Sequence, residues 1–250
     1  MELKTILVTQ ARTGSSRLPG KILKEVNGIS LLQIHLDRLK KCSKISEIIV
    51  ATTVKDEDEV IFNNAIEWGY KASRGSELNV LDRFYEAVKN NDADWIVRVT
   101  SDCPLLDAQL VDDVITYAQS HDYDYVSNGL IEHFPDGQDI EVFKFSALKM
   151  AWENASLKSE LEHVTPYIRN NADGKGENLF SVMNYACQQD YSQIRMTVDE
   201  PIEYLIQKLG TEKSWLEYTN YIIENDLNKI NNQIIRNEGL LKSLKKDTNG

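Results

Sequence analysis

The sequence is poor in cysteine. Its three thiols, Cys42, Cys103 and Cys187, are scattered over 250 residues. That excludes a CxxC pair and any zinc-ligand spacing built on one. It also excludes a disulfide scaffold, so each reads as a buried thiol and a reducing cytoplasm is the expected setting. No apolar run approaches the roughly 20 residues that a membrane-spanning helix needs. The opening Met1-Glu2-Leu3-Lys4 runs straight into an apolar segment without the layout of a signal peptide, so no membrane partner is expected. An excess of positive charge is absent as well: 28 Lys and Arg stand against 39 Asp and Glu, for a net charge of −11. Such a chain is no general nucleic-acid binder. A local basic loop can still hold a small anion, because the local field decides. Repeats, low-complexity linkers and a sharp boundary are also missing. The whole chain, 1–250, therefore reads as a single domain, with 42% hydrophobic residues to fill its core.

What is present is an alternation of strand and helix patterns. Thr5 to Thr9, Ile48 to Thr53 and Asp94 to Thr100 are branched, apolar runs that predict buried strands. Between and after them, Leu31 to Lys41, Glu57 to Trp68, Val80 to Lys89 and Leu110 to Ser120 show helical spacing. The alternation predicts an α/β fold with a mostly parallel sheet and helices on both faces. Further strands are expected over Tyr123 to Asn128, Asp139 to Phe143, Phe180 to Tyr185 and Ile194 to Val198. Helices are expected over Ser146 to Ala155 and Glu160 to Asn170, with a helical tail from Pro201 that frays over Lys245 to Gly250. The core would span 1–205, with an insertion at about 123–185, and 206–250 would form a C-terminal extension.

The loop after the first strand concentrates charge. Arg12-Thr13-Gly14-Ser15-Ser16-Arg17-Leu18-Pro19-Gly20-Lys21 holds three cations, two glycines and several hydroxyls. Glycines let backbone N–H groups approach an anion, and arginines grip phosphate oxygens in pairs. In an open α/β sheet, ligands bind beyond the carboxyl ends of the strands, where this loop lies. It is not a Walker A loop: Gly14 and Gly20 are too far apart, and Ile22 stands where the magnesium-binding hydroxyl would be. It is not a GxGxxG dinucleotide fingerprint either, which argues against an NAD-type oxidoreductase.

Two aspartates close predicted strands and stand near prolines: Asp102 in Ser101-Asp102-Cys103-Pro104, and Asp199 in Val198-Asp199-Glu200-Pro201. Carboxylates at strand ends suit a hard cation that keeps several waters, and Mg²⁺ fits triphosphate chemistry. Read singly, either aspartate could equally cap a helix or a turn.

These residues resemble a known family. Gln10-Ala11-Arg12-x-Gly14-Ser15-x-Arg17-Leu18-Pro19-Gly20-Lys21 is similar to the signature of the cytidylyltransferases that make CMP-linked acidic sugars. The nearest branch is the SpsF-like (spore coat polysaccharide biosynthesis protein F) group, related to CMP-Kdo and acylneuraminate cytidylyltransferases. The resemblance continues through Arg74-Gly75-Ser76, Val80-Leu81-Asp82-Arg83, Arg98-Val99-Thr100, Asp102-Cys103-Pro104-Leu105, Phe134-Pro135-Asp136-Gly137, Asp139-x-Glu141, Glu162-His163-Val164-Thr165-Pro166-Tyr167-Ile168-Arg169, Thr197-Val198-Asp199 and Arg236-Asn237-Glu238-Gly239.

The resemblance implies a Rossmann-like nucleotidyltransferase fold, CTP as donor, Mg²⁺ as cofactor and often a homodimer. It places Arg12, Ser16, Arg17 and Lys21 on the triphosphate, with Ala11, Gly14 and Ser15 in the same nucleotide-binding loop. Asp102 and Asp199 would hold the metal, and Arg74, Asp82 and Thr100 would line the nucleotide pocket. Arg17, Lys21 and Asp102 would be the catalytic set. The branch usually has glycine where this chain has Ser101, a side chain that could crowd the nucleotide or reshape the strand end. After Asp199 it usually reads Thr-Pro-Glu-Asp, where this chain has Glu200-Pro201-Ile202-Glu203.

The expected reaction moves CMP from CTP to a small anionic acceptor, with release of pyrophosphate, in surface polysaccharide or glycoconjugate synthesis. The acceptor would be an acidic sugar, a sugar or polyol phosphate, or a phosphonate. Asp136, Asp139, Glu141, Glu162, His163 and Arg169 are the candidate acceptor residues, although His163 also reads as a core or dimer-interface histidine, and Asp136, Asp139 and Glu141 as turn residues. Two rivals stand beside this reading: the same fold with another nucleoside triphosphate, since the loop reads phosphates rather than the base, and a non-catalytic nucleotide- or sugar-binding protein.

Overall fold

The branched runs of the N-terminal half become the centre of a sheet because both of their faces are covered. The computed structural model describes residues 3–14, 20–198, 202–228 and 236–247. In chain order the strands are β1 (Thr5–Gln10), β2 (Glu25–Val26), β3 (Ile29–Ser30), β4 (Glu47–Thr53), β5 (Lys71–Gly75), β6 (Trp95–Thr100), β7 (Tyr125–Ser127), β8 (Glu141–Lys144) and β9 (Val182–Asn184). The helices are α1 (Leu31–Leu39), α2 (Glu59–Glu67), α3 (Val80–Val88), α4 (Ala108–His121), α5 (Phe145–Asn154), α6 (Lys158–His163), α7 (Pro166–Asn170), α8 (Ile202–Leu209), α9 (Trp215–Glu224) and α10 (Glu238–Asp247).

Among the described residues, seven strands form one sheet in the order β5-β4-β1-β6-β8-β7-β9. Strand β8 runs antiparallel to both neighbours, and the other pairings are parallel. Strands β2 and β3 form a separate hairpin. It turns at Asn27 and Gly28, whose φ values of 54° and 80° are those a tight two-residue turn requires.

The side-chain alternation of β1 assigns the layers. Ile6 and Val8 face α3 and α5, together with Ile49, Ala51, Phe84 and Leu148. Leu7 points the other way, toward α4 residues such as Val111 and Ile115. Val50 faces the same side and meets Leu32 and Leu36 of α1 and Ile61 of α2. Local signals start the helices: the Ser30 hydroxyl accepts from Gln33 N at 3.2 Å, Asn79 from Asp82 N at 2.9 Å, and Asp107 from Gln109 N at 2.8 Å. Helices α8 and α9 pack Ile202, Leu205, Tyr218 and Ile222 over Leu31 and Ile34 of α1.

The structure departs from the sequence pattern in three places. Strand β5 was not anticipated, because Lys71-Ala72-Ser73-Arg74-Gly75 is an edge strand without an apolar run. Ile194 to Val198 buries Ile194, Met196 and Val198 but forms only an isolated bridge, between Arg195 and Asp136. The helix expected from Glu160 to Asn170 is two helices. They break at Val164, whose φ of 72° and ψ of −54° close a three-residue turn with Thr165 N donating to His163 O at 2.9 Å. Pro166, at the first position of α7, has no N–H with which to continue α6.

The topology fixes where a ligand fits. From β1 the chain builds outward through β4 to β5 on one side, then returns to place β6 on the other. The carboxyl ends of β1 and β6 are level, with Gln10 paired to Thr100. A crevice opens at such a switch point.

Arg38 of α1 ties the C-terminal helices to this frame. Its Nε donates to Leu106 O at 3.0 Å, Nη2 to Lys213 O at 3.0 Å, and Nη1 to Thr211 O. Replacing it with methionine keeps the stem but strands three carbonyls. Arg38→Met should lower the unfolding free energy by about 3 kcal/mol in urea titrations, with faster proteolysis between Gly210 and Ser214.

Candidate active site

The crevice is a cleft of about 730 Å³ bounded by the loop after β1, the turn after β6, the start of α3, and helices α6 and α10. Gly20, in the left-handed conformation at φ 67°, turns the chain so that Lys21 points inward. The Lys21 side chain is only 9% exposed, and its Nζ lies 3.3 Å from Asp102 Oδ2. Asp102 keeps a third of its side-chain surface open to the cleft. Burial works to raise its pKa, but the Lys21 ammonium and the Thr100 hydroxyl hold the carboxyl below the usual range. Thus Ala11, Arg12, Lys21, Thr100 and Asp102 all line one cleft.

The Asp102 turn is held from several sides. Ser101 Oγ donates to Gln10 O at 2.8 Å and is buried. The hydroxyl is directed onto the end of β1, so the side chain found where the related branch has glycine is absorbed by the sheet. His35, fully buried on α1, bridges Thr9 Oγ1 at 3.0 Å through Nε2 and Cys103 O at 2.9 Å through Nδ1. The loop after β1 is anchored by Asp58, which accepts from Thr13 N at 2.6 Å, from Thr13 Oγ1 at 2.8 Å and from the Thr53 hydroxyl. Against the effect of burial, those donors hold the Asp58 carboxyl below its ordinary range. Arg12 is 49% exposed, with Nη1 3.6 Å from Glu77 Oε1. Gly14 has room for a Cβ, 3.5 Å from Glu57 Oε1, so packing in the protein does not demand glycine there. Ser15, Ser16, Arg17 and Asp199 lie outside the described residues.

At the far end, His163 and Glu162 line the same cleft with Gly239 and Lys242 of α10. Ser243 joins the two helices: its Oγ donates to Glu162 Oε2 at 2.7 Å and lies 3.2 Å from His163 Nε2. Burial lowers the His163 pKa.

Other expected site residues are placed elsewhere. Arg74 does not line the cleft; its Nε donates to Thr53 O at 3.1 Å and Nη2 to Lys55 O at 2.9 Å, bracing the end of β4. Asp82 turns outward and accepts from Trp152 Nε1 at 2.9 Å. Asp136 pairs with Arg195 at 2.6 Å, and Asp139 with Arg236. Burial and the neighbouring Asp139 push the Asp136 carboxyl up to about 6, and burial also raises Asp139. Glu141 is buried and takes the Arg98 guanidinium, the Tyr125 hydroxyl at 2.6 Å and the Thr165 hydroxyl. Arg169, on α7, acts electrostatically on Glu141 and is not part of the cleft wall. Asp136, Asp139 and Glu141 are thus committed to Arg195, Arg236 and Arg98 rather than to the cleft.

Sequence reasoning passed over Arg83. It lines the cleft, is 3% exposed, donates from Nη1 to Ser76 O at 2.8 Å and leaves Nε without a partner. Burial brings its pKa down to about 10. The signal was an arginine on the apolar face of α3, beside Val80, Phe84 and Ala87. His35 was missed for the same reason: it lies among Leu32, Leu36 and Leu39 on the buried face of α1. Among the described residues, no group of three or more His, Cys, Asp or Glu is arranged to hold a metal ion, and no helix is long and apolar enough to cross a membrane.

His35 also sets a pH dependence. Burial lowers its pKa from 6.5 to about 4, opposed by the Cys103 carbonyl and the Asp102 charge and aided by Arg38. The folded state disfavours the imidazolium, so this group's contribution is complete above pH 6.5 and declines as pH falls toward 4. Acidification from pH 7.5 to 5.5 should therefore cost the wild type about 1.4 kcal/mol more than His35→Gln in urea unfolding. The comparison isolates His35 from Asp136, whose raised pKa acts in the opposite direction over the same window.

Comparison with known proteins agrees with this geometry. The cytidylyltransferase family model matches residues 6–234. An uncharacterized protein of Methanocaldococcus jannaschii is 44% identical over 200 residues, 79% of each chain. The spore coat polysaccharide biosynthesis protein SpsF of Bacillus subtilis is 32% identical over 219 residues, 82% of this chain and 87% of its own. A solved cytidylyltransferase from Leptospira borgpetersenii superposes with a TM-score of 0.83 at 29% identity, covering 94% of this chain and 99% of that one. With the family pattern running through the β1 loop, the Asp102 turn and the helices beyond them, the chain belongs to the cytidylyltransferase family.

Proposed function

We propose that this chain transfers CMP from CTP to a small anionic acceptor and releases pyrophosphate. The observation that carries the reading is the pairing of Lys21 with Asp102 at 3.3 Å across the switch-point crevice, a cation that follows the loop after β1 and a carboxylate from the turn after β6 in one cleft. An acceptor oxygen would attack the α-phosphorus. The new O–P bond forms as the bond to the bridging oxygen breaks, pyrophosphate leaves, and the acceptor proton passes to solvent.

Lys21, Arg12 and Arg83 would offset the charge of the phosphates. Lys21 is poised for this because burial has already stripped most water from its ammonium. Ala11 and Thr100 would border the nucleotide, and Ser15, Ser16 and Arg17 would complete the loop. Glu162 and His163, at the opposite end of the cleft, would meet the acceptor, an acidic sugar, a sugar or polyol phosphate, or a phosphonate. The relative in spore coat polysaccharide biosynthesis supports a role in surface polysaccharide synthesis.

Mg²⁺ fits the donor chemistry. Asp102 presents a hard, ionised oxygen donor to the cleft with room beside it for water. Asp102 and Asp199 would hold the ion, whose contribution is to neutralise charge on the phosphate oxygens.

Pyrophosphate release, measured with each of the four nucleoside triphosphates, Mg²⁺ and a panel of acidic sugars, sugar phosphates and phosphonates, tests the reading. CTP-dependent release that needs one acceptor, and that falls at least 10³-fold in Asp102→Asn, is expected. Release only with another nucleotide would correct the donor, and failure of every nucleotide to bind by calorimetry would overturn the proposal. Arg83→Leu should weaken CTP binding about 10-fold in the same calorimetric assay, the loss of one charge-assisted phosphate contact.

A further inference from the structure

The turn that carries Asp102 has few tight bonds of its own. Within it, Cys103 N reaches Thr100 O at 3.3 Å and Leu106 N reaches Cys103 O at 3.2 Å, both at the long end of hydrogen-bond geometry. The shorter ties come from outside the turn: Ser101 Oγ to Gln10 O, Val198 N to Asp102 O at 3.0 Å, and His35 Nδ1 to Cys103 O at 2.9 Å. Ser101 ties the turn directly to Gln10 of β1; a second tie to that strand runs through His35 of α1. Its second nitrogen reaches Thr9, in β1, one residue before the strand end that opens the cleft.

The protons can be assigned. A carbonyl only accepts, so Nδ1 carries the hydrogen and donates to Cys103 O. Nε2 then offers its lone pair, and the Thr9 hydroxyl donates to it. The imidazole is neutral and satisfied at both ends, and it is rigid because α1 packs it with no exposure at all. An apolar residue of similar volume would leave the Thr9 hydroxyl buried without this partner and the Cys103 carbonyl with only the Leu106 N–H, at 3.2 Å.

We propose that His35 is a positioning residue: a neutral, two-ended strut beneath the crevice that fixes the Asp102 carboxylate relative to the β1 loop for binding of the metal–nucleotide complex. The proposal rests on the reading of the cleft as a CTP site. It makes no use of a change in the charge of His35. Its chemistry requires one donor and one acceptor about an imidazole width apart, which glutamine supplies and leucine does not.

Calorimetric titration with CTP, in the presence of Mg²⁺ and again in EDTA, tests it on the full chain. His35→Leu should weaken CTP binding at least 10-fold with Mg²⁺ and less than 3-fold in EDTA. His35→Gln should restore binding to within 3-fold of the wild type. Asp102→Ala should remove the same Mg²⁺-dependent increment, and adding His35→Leu to it should cause no further loss. Equal weakening with and without Mg²⁺ in His35→Leu, or unchanged binding in both, overturns the strut. If His35→Leu does not unfold cooperatively, the glutamine variant decides: a 10-fold loss confined to Mg²⁺ conditions in a stably folded His35→Gln would show that an amide cannot replace the imidazole and would overturn the two-ended account. Failure of the wild type to bind CTP under either condition overturns the reading of the cleft itself, a result distinct from any difference between variants.

Discussion

The sheet depends on one buried ion pair. Arg98 of β6 and Glu141 of β8 face each other directly in register, and the carboxylate also accepts from Tyr125 of β7 and from Thr165 at the start of α7. Arg98 donates onward to Gln10 Oε1 of β1 at 3.2 Å. A charge taken from water is expensive unless it is paired and its remaining oxygens are satisfied. Here the compensation comes from strands on both sides of the single reversed strand. The pair ties β8 to β6, the Tyr125 hydroxyl ties it to β7, and Arg98 also reaches the end of β1 that borders the cleft.

The same reasoning explains how an acidic protein makes a cleft for anions. Across the molecule, acids outnumber bases. Near the crevice many acids are already engaged: Asp58 by threonine donors, Glu141 by Arg98, Asp136 by Arg195, Asp139 by Arg236. Arg12, Lys21 and Arg83 line the wall of the cleft, Arg12 beside Glu77 and Lys21 beside Asp102, and their fields add there. Much of what looks like a polar active site in the motif from Phe134 to Glu141 is a set of internal ion pairs.

The central strands and flanking helices were legible because burial on both faces leaves a continuous branched pattern, as in Ile6, Leu7 and Val8. The edge strand β5 was illegible because its residues need only half a covering, and the polar Lys71-Ala72-Ser73-Arg74 leaves no periodic trace. At the site, the loop cations and Asp102 could be read because their residue types announce anion chemistry. Arg74, Asp82 and Glu141 matched motifs as well as Lys21 did, but sequence cannot say which way a side chain turns. Arg83 and His35 err in the opposite sense: each is a polar residue on an apolar helix face, a pattern that usually means a satisfied core group. For His35 that reading is correct as far as it goes, since its partners are Thr9 and Cys103; the one-dimensional pattern hides only that these partners border the crevice.

Val164 carries a different kind of information. A branched residue at φ 72° costs on the order of 1–3 kcal/mol in backbone strain. Its fully buried side chain returns roughly the same amount through packing. The two terms nearly cancel, so glycine, which relieves the one and forfeits the other, would be close to neutral for stability. A glycine scan ranked by melting temperature would pass over this position. Yet the turn it closes ends α6 at His163 and lets Thr165 reach Glu141. Thermodynamic silence and geometric importance coincide in a single residue.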